Sequence, residues 1–128
     1  MSHSVDFTKF YKAATPLSAT LPVNANTETS VQSFPLPAGK WRIFWAVRGY
    51  GGENAQTDMI YAGLKANRDK VQNIAVNAVA AAGMWRPFIS CSYEANITSS
   101  TTFSTFVLMP MAGNVSAETT YLFALRVG

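Results

Sequence analysis

Hydrophobic and polar positions alternate along most of this chain, and the alternation is clearest between Pro37 and Tyr50. There Trp41, Ile43, Trp45 and Val47 fall on one face by the period of two, and Arg42, Phe44, Ala46 and Arg48 on the other. The segment predicts a central strand, Lys40 to Arg48, entered through Pro37-Ala38-Gly39 and left through the glycine-rich Gly49-Tyr50-Gly51-Gly52. The tryptophan face is core. The other face mixes arginines with an aromatic and a small residue, as expected of a sheet face partly covered by a neighbouring subunit.

The same period predicts strands over Leu17 to Val23, Ser30 to Leu36, Asp58 to Ala66, Lys70 to Val79, Arg86 to Ala95, Phe103 to Met109 and Thr120 to Val127. Asn67-Arg68-Asp69 reads as the turn of a hairpin, and Asn114, just beyond Gly113, as part of another turn. Pro22, Pro35 and Pro37 lack a ladder donor, which places their segments at edges or strand ends. Ala78 to Ala82 is too short before Gly83 to hold a helix and reads as a loop. About eight strands separated by turns, with no amphipathic helix of useful length, predict an all-β fold: an antiparallel jelly-roll β-sandwich over residues 16–128. Residues 1–15 form a short N-terminal arm, in which Val5, Phe7, Phe10 and Tyr11 alternate with polar residues including Lys9 and Lys12 before Pro16 breaks the pattern. So short a segment needs something to dock on.

A chain of 128 residues fits one domain. Charged residues are only 13% against 48% hydrophobic, about half the usual ~25% charged share, so a free monomer is thinly coated. This points to an oligomer or a docked subunit. The net charge of +3 is scattered without a basic block, which argues against nucleic acid, Arg42 and Arg48 on one strand face being that reading's only support. Cys91 is the one cysteine, so there is no disulfide framework, and it reads as a small core residue. The N-terminus lacks a signal-peptide pattern and no apolar run is long enough to span a membrane, so the expectation is synthesis in a cytoplasm with no membrane partner.

Enzymatic chemistry finds little support. His3, the only histidine, lies in the arm, so the domain body lacks the commonest general base and Cys91 has no histidine to activate it. Carboxylates are dispersed; Glu53, Asn54 and Asp58 make a weak calcium set, and Glu53 with Glu94 is the pair to check for glycoside hydrolysis. The expectation is a non-enzyme with no metal and no cofactor. For ligand binding, Tyr50 and Trp85, with Glu53 and Asn54, are the loop residues placed to meet a sugar or protein.

The run Leu36-Pro37-Ala38-Gly39-Lys40-Trp41-Arg42-Ile43, the strand and glycine turn of Phe103 to Gly113, and the aromatic closing strand Tyr121-Leu122-Phe123-Ala124-Leu125 together resemble, in layout, the jelly-roll trimers of the tumour necrosis factor and complement-head type. That fold also serves in bacteriophage virion proteins such as capsid cement proteins and fibre heads. The resemblance implies a homotrimer packed through aromatic sheet faces, with Arg42, Phe44, Arg48, Phe106, Tyr121 and Phe123 at the subunit interface. It also implies an arm (Val5, Phe7, Lys9, Phe10, Tyr11, Lys12) free to grip the major capsid protein. The short arm and absence of a stalk repeat favour a capsid cement, or decoration, protein on the virion surface over a receptor-binding fibre head, which is the alternative.

Overall fold

The structure, a computed structural model, describes residues 9–51, 58–78 and 86–128. These form ten strands: β1 (Tyr11–Ala13), β2 (Leu21–Val23), β3 (Thr29–Leu36), β4 (Gly39–Tyr50), β5 (Asp58–Ala66), β6 (Asp69–Ala78), β7 (Phe88–Ile97), β8 (Thr101–Leu108), β9 (Gly113–Val115) and β10 (Tyr121–Arg126). With β2 and β9 set aside, the other strands pair in nested order, first with last: β1 with β10, β3 with β8, β4 with β7, and β5 with β6, all antiparallel. That nesting describes one long ribbon rolled up on itself. Pairing of β10 with β4 and of β8 with β5 closes the roll into sheet I (β1-β10-β4-β7) and sheet II (β3-β8-β5-β6). The protein is therefore an antiparallel jelly-roll β-sandwich.

The central strand lies where the alternation put it. Along β4, Trp41, Ile43 and Trp45 are fully buried and Val47 nearly so; they meet Phe34, Leu36, Leu64, Phe103 and Val107 of sheet II in one core. Buried indoles need partners for their N–H groups. Trp41 Nε1 donates to the Pro37 carbonyl at 2.9 Å, and Trp45 Nε1 to Gln72 Oε1 at 2.7 Å. Gln72 in turn donates to the Ser92 carbonyl at 2.9 Å and to Cys91 Sγ at 3.2 Å, so one amide joins β6 to β7 at the open edge between the sheets. Cys91 is half-buried there and packs against the core.

Several boundaries differ from those the pattern predicts. Of Leu17 to Val23 only the last three residues are strand. Asn114, read as a turn residue, pairs in β9 with Pro22 and Tyr50. The end of the segment read as an arm is β1, with Tyr11 opposite Leu125, Lys12 opposite Ala124 and Ala13 opposite Phe123; the adjacent Ala14 is buried and donates to the Leu122 carbonyl. A short edge strand carries too little periodicity to be read without knowing its partner. In β3, alternation fails because Val31 and Gln32 are both buried at a register shift between Ser30 and Ser33. The Gln32 amide N–H there takes the Thr105 hydroxyl as its acceptor, the behaviour of a bulge residue that has lost its ladder partner.

Phe106, expected in core or subunit contacts, lies on the outer face of sheet II, apart from the other residues named for the interface, and is 1% exposed. It sits opposite Gly63 in the β5–β8 register, whose missing side chain leaves room for the ring. Lys65 and Lys70 roof it, with their Nζ atoms 5.5 and 4.8 Å from the ring centroid. Both ammonium groups pair with Glu28, the Lys70 contact measuring 2.8 Å.

The hydrogen bond from Lys65, and next that from Lys70, holds the Glu28 carboxyl below the usual carboxylate range. A carboxyl pKa lowered by folding contributes stability above its unfolded value, and that contribution is lost as pH falls through the folded one. Glu28→Gln is therefore expected to cost about 0.5–1 kcal/mol near neutral pH, as partly exposed pairs do. Denaturant melts of the two proteins should converge as pH falls from about 5 to 3; a difference independent of pH would show that the ion pairs contribute nothing.

Candidate functional site: the aromatic face of sheet I

The register of sheet I decides what its outer face presents. Across β1, β10, β4 and β7 one row reads Tyr11, Leu125, Arg42, Glu94; the next Ala13, Phe123, Phe44, Ser92; then Tyr121, Ala46, Ser90; and last Arg48, Phe88. Alternation along each strand sends these side chains away from the core. Phe123 is the hub. Its ring stacks on Phe44 at 5.1 Å between centroids and 19° between planes, with Tyr121 at 5.6 Å and Tyr11 at 6.0 Å in tilted contacts.

This face is not dressed for water. Of the six large apolar side chains that are exposed among the described residues, Tyr11, Phe88, Tyr121 and Leu125 all stand on it, each at 40–46%. Scattered exposed apolar residues need no explanation, but a contiguous cluster rimmed by charge marks an interaction surface. The rim is present at both ends. Arg42 pairs with Glu94 beside Leu125, and the Arg48 guanidinium lies 4.6 Å from the centroid of the Phe88 ring. An aromatic centre with arginines in a charged border is a composition that protein–protein interfaces share.

Five of the residues expected at a subunit interface, Arg42, Phe44, Arg48, Tyr121 and Phe123, are thus brought onto one surface, and only Phe106 is elsewhere. Sequence reasoning missed Tyr11, Phe88 and Leu125 as members, since their belonging depends on which strands flank β4. Of the arm residues, Lys9, Phe10 and Tyr11 are exposed and Lys12 half-buried; Val5 and Phe7 lie outside the described residues, as does His3. Of the ligand-loop residues, Tyr50 is half-buried, its hydroxyl 3.2 Å from the Thr20 hydroxyl, while Glu53, Asn54 and Trp85 are also outside them.

Glu94, named for glycoside hydrolysis, is fully exposed, and its bond to Arg42 lowers its pKa. A general acid needs the opposite shift. Among the described residues no group of three His, Cys, Asp or Glu side chains is placed to hold a metal ion. No family model matches this chain, and no curated protein matches its sequence.

Proposed function

We propose that this chain is a non-enzymatic structural protein that assembles as a homotrimer through the aromatic face of sheet I, and that the trimer decorates a virion, stabilising its capsid lattice as a cement protein. The observation that carries the assembly reading is the contiguous Tyr11, Phe44, Phe88, Tyr121, Phe123 and Leu125 surface on a chain with only 13% charged residues. Covering such a surface is favourable at roughly 25 cal/mol per Å² of apolar area. The capsid setting and the threefold symmetry rest on the layout resemblance and on the N-terminal segment. That segment enters the fold at β1, the strand that carries Tyr11 at the border of the aromatic face.

The test has two parts. Light scattering over a range of concentration should return about three times the 13.9 kDa chain mass; a concentration-independent monomer removes the assembly reading. Deleting residues 1–8, which spares β1, should leave three chains per particle and abolish co-sedimentation with capsids of the virus that encodes the protein. A truncated trimer that still decorates capsids normally overturns the docking role. A second reading, a receptor-binding head, is favoured by one observation, a cleft at the end of β4 lined by Arg48, Tyr50, Ser116 and Glu118 among others.

A further inference from the structure

Strand β4 changes partner near its end. Trp41 to Ala46 pair with β10, whereas Gly49 and Tyr50 pair with Val115 and Asn114 of β9. The chain between β9 and β10 must bow away from the sheet to make this exchange, and its two ends are pinned: Ser116 N–H donates to the Arg48 carbonyl, and the Thr120 hydroxyl accepts from the Arg48 N–H. The bow leaves a cleft of about 670 Å³, lined by Thr20, Arg48, Tyr50, Arg86, Ser116 and Glu118 among others. That volume is in the range of small-molecule sites.

We infer that this cleft binds a saccharide bearing a carboxylate, a uronic- or sialic-acid-type sugar, with Arg48 as the carboxylate's principal partner. The inference deepens the receptor-head reading and rests on it. Arg48 is held before any ligand arrives. Its guanidinium lies against Phe88, and Nη1 donates to the Arg86 carbonyl at 3.1 Å, so little side-chain freedom remains to be lost on binding. A planar guanidinium matches a carboxylate in two parallel hydrogen bonds.

The rest of the lining chooses among anions. Among the described residues the lining carries two guanidinium groups, Arg48 and Arg86, and one carboxylate, Glu118, a setting for an anion of low charge. Glu118 at the wall repels a dianionic phosphate ester more than a monoanion, and its carboxylate accepts hydrogen bonds from sugar hydroxyls. Thr20 and Ser116 add hydroxyls that both donate and accept. Tyr50, positioned through the Thr20 hydroxyl, supplies an aromatic ring for the apolar face of a pyranose. Charge to orient, hydroxyl partners and one ring are what an acidic sugar requires. Single sites of this kind are weak, and a trimer presenting three copies would gain avidity of about 10²-fold or more on a surface rich in such sugars.

The test is titration of the isotopically labelled full chain with glucuronic- and sialic-acid oligosaccharides, with their neutral counterparts and with sulfated sugars, read by amide shifts and accompanied by binding to host cells. Shifts clustered at Thr20, Arg48, Tyr50 and Ser116, with acidic sugars preferred by about tenfold or more, are expected. Arg48→Gln should lower the affinity by a similar factor, compared with the parent at a concentration where light scattering gives both the same number of chains per particle. Arg86→Gln, also expected to weaken binding, serves if the first variant does not fold. Equal binding of neutral or sulfated sugars, or affinity indifferent to both substitutions, overturns the carboxylate inference and leaves the receptor-head reading standing. Cell binding with no sugar-induced shift does the same, and loss of both signals removes inference and reading together.

Discussion

Replacing Phe123 by glutamate is expected to leave the chain folded and, if the aromatic face of sheet I is the assembly surface, to make it monomeric. Phe123 is only half-buried and contributes to none of the core, so far-UV circular dichroism should be unchanged. Its ring nevertheless organises the outer face, being in contact with Phe44, Tyr121 and Tyr11, and a carboxylate at that hub would be buried without a partner in any assembly that covers it. Central aromatic anchors cost about 2–4 kcal/mol when removed, and that loss at each protomer raises the dissociation constant by about 10²-fold or more. Light scattering at concentrations where the parent chain is oligomeric reads the result directly. A Phe123→Glu protein with the parent's mass would show that sheet I faces solvent and that the low charge reflects a polar, uncharged coat elsewhere.

Gly63→Ala should destabilise the fold without touching that interface, because it lies in the opposite sheet. A β-carbon at Gly63 would collide with the backbone carbonyl of Gln72 and come within 2.7 Å of the Phe106 ring. The ring cannot swing away, since Lys65 and Lys70 roof it. The carbonyl belongs to β6, which pairs with β5 on both sides of the contact, regularly through Asn73 and Ile74 and across a register shift between Leu64 and Lys65. Overpacking of this kind costs about 3 kcal/mol where backbone must move, which corresponds to a fall in Tm of about 10 °C for a domain of this size. Denaturant midpoints compared at equal chain concentration measure it, equal concentration being needed because assembly stabilises by mass action. Adding Phe106→Leu should restore only part of the loss, as the carbonyl contact persists. An unaltered midpoint in Gly63→Ala would mean that β6 shifts freely and that the Phe106 cluster is not rigid.

The two sheets therefore carry different tasks on their outer faces. Sheet II closes its aromatic internally: Phe106 is sunk over a glycine and sealed by two lysines that Glu28 holds in place. Sheet I leaves its aromatics open, with cations only at the margins. An aromatic on an outward strand position thus has two fates, and local sequence does not distinguish them. Phe44 and Phe106 both alternate with core residues and both have basic residues available in the chain. Phe106 is covered because β5 and β6 deliver Lys65 and Lys70 above it, across a hairpin whose turn depends on Asn67 in a left-handed conformation, φ 55°.

The alternation alone determined that the chain would be a β-sandwich and that Trp41, Ile43, Trp45 and Val47 would line its core, because burial of a strand's face is written at every second residue. It also placed Phe44, Arg42 and Arg48 on the opposite face of the same strand, and so exposed three of the eight residues of the candidate interface. Only the tertiary structure decided the rest. That Tyr11, Phe88, Tyr121 and Leu125 join Phe44 in one surface depends on β10 and β7 flanking β4 and on β1 pairing beyond β10. Each of those is a contact between residues distant in sequence, whose partners no local pattern names. The cleft at Arg48 arises in the same way, from β4 exchanging β10 for β9, since Thr20, Tyr50, Arg86 and Ser116 have no spacing in common and meet only because the ribbon rolls up.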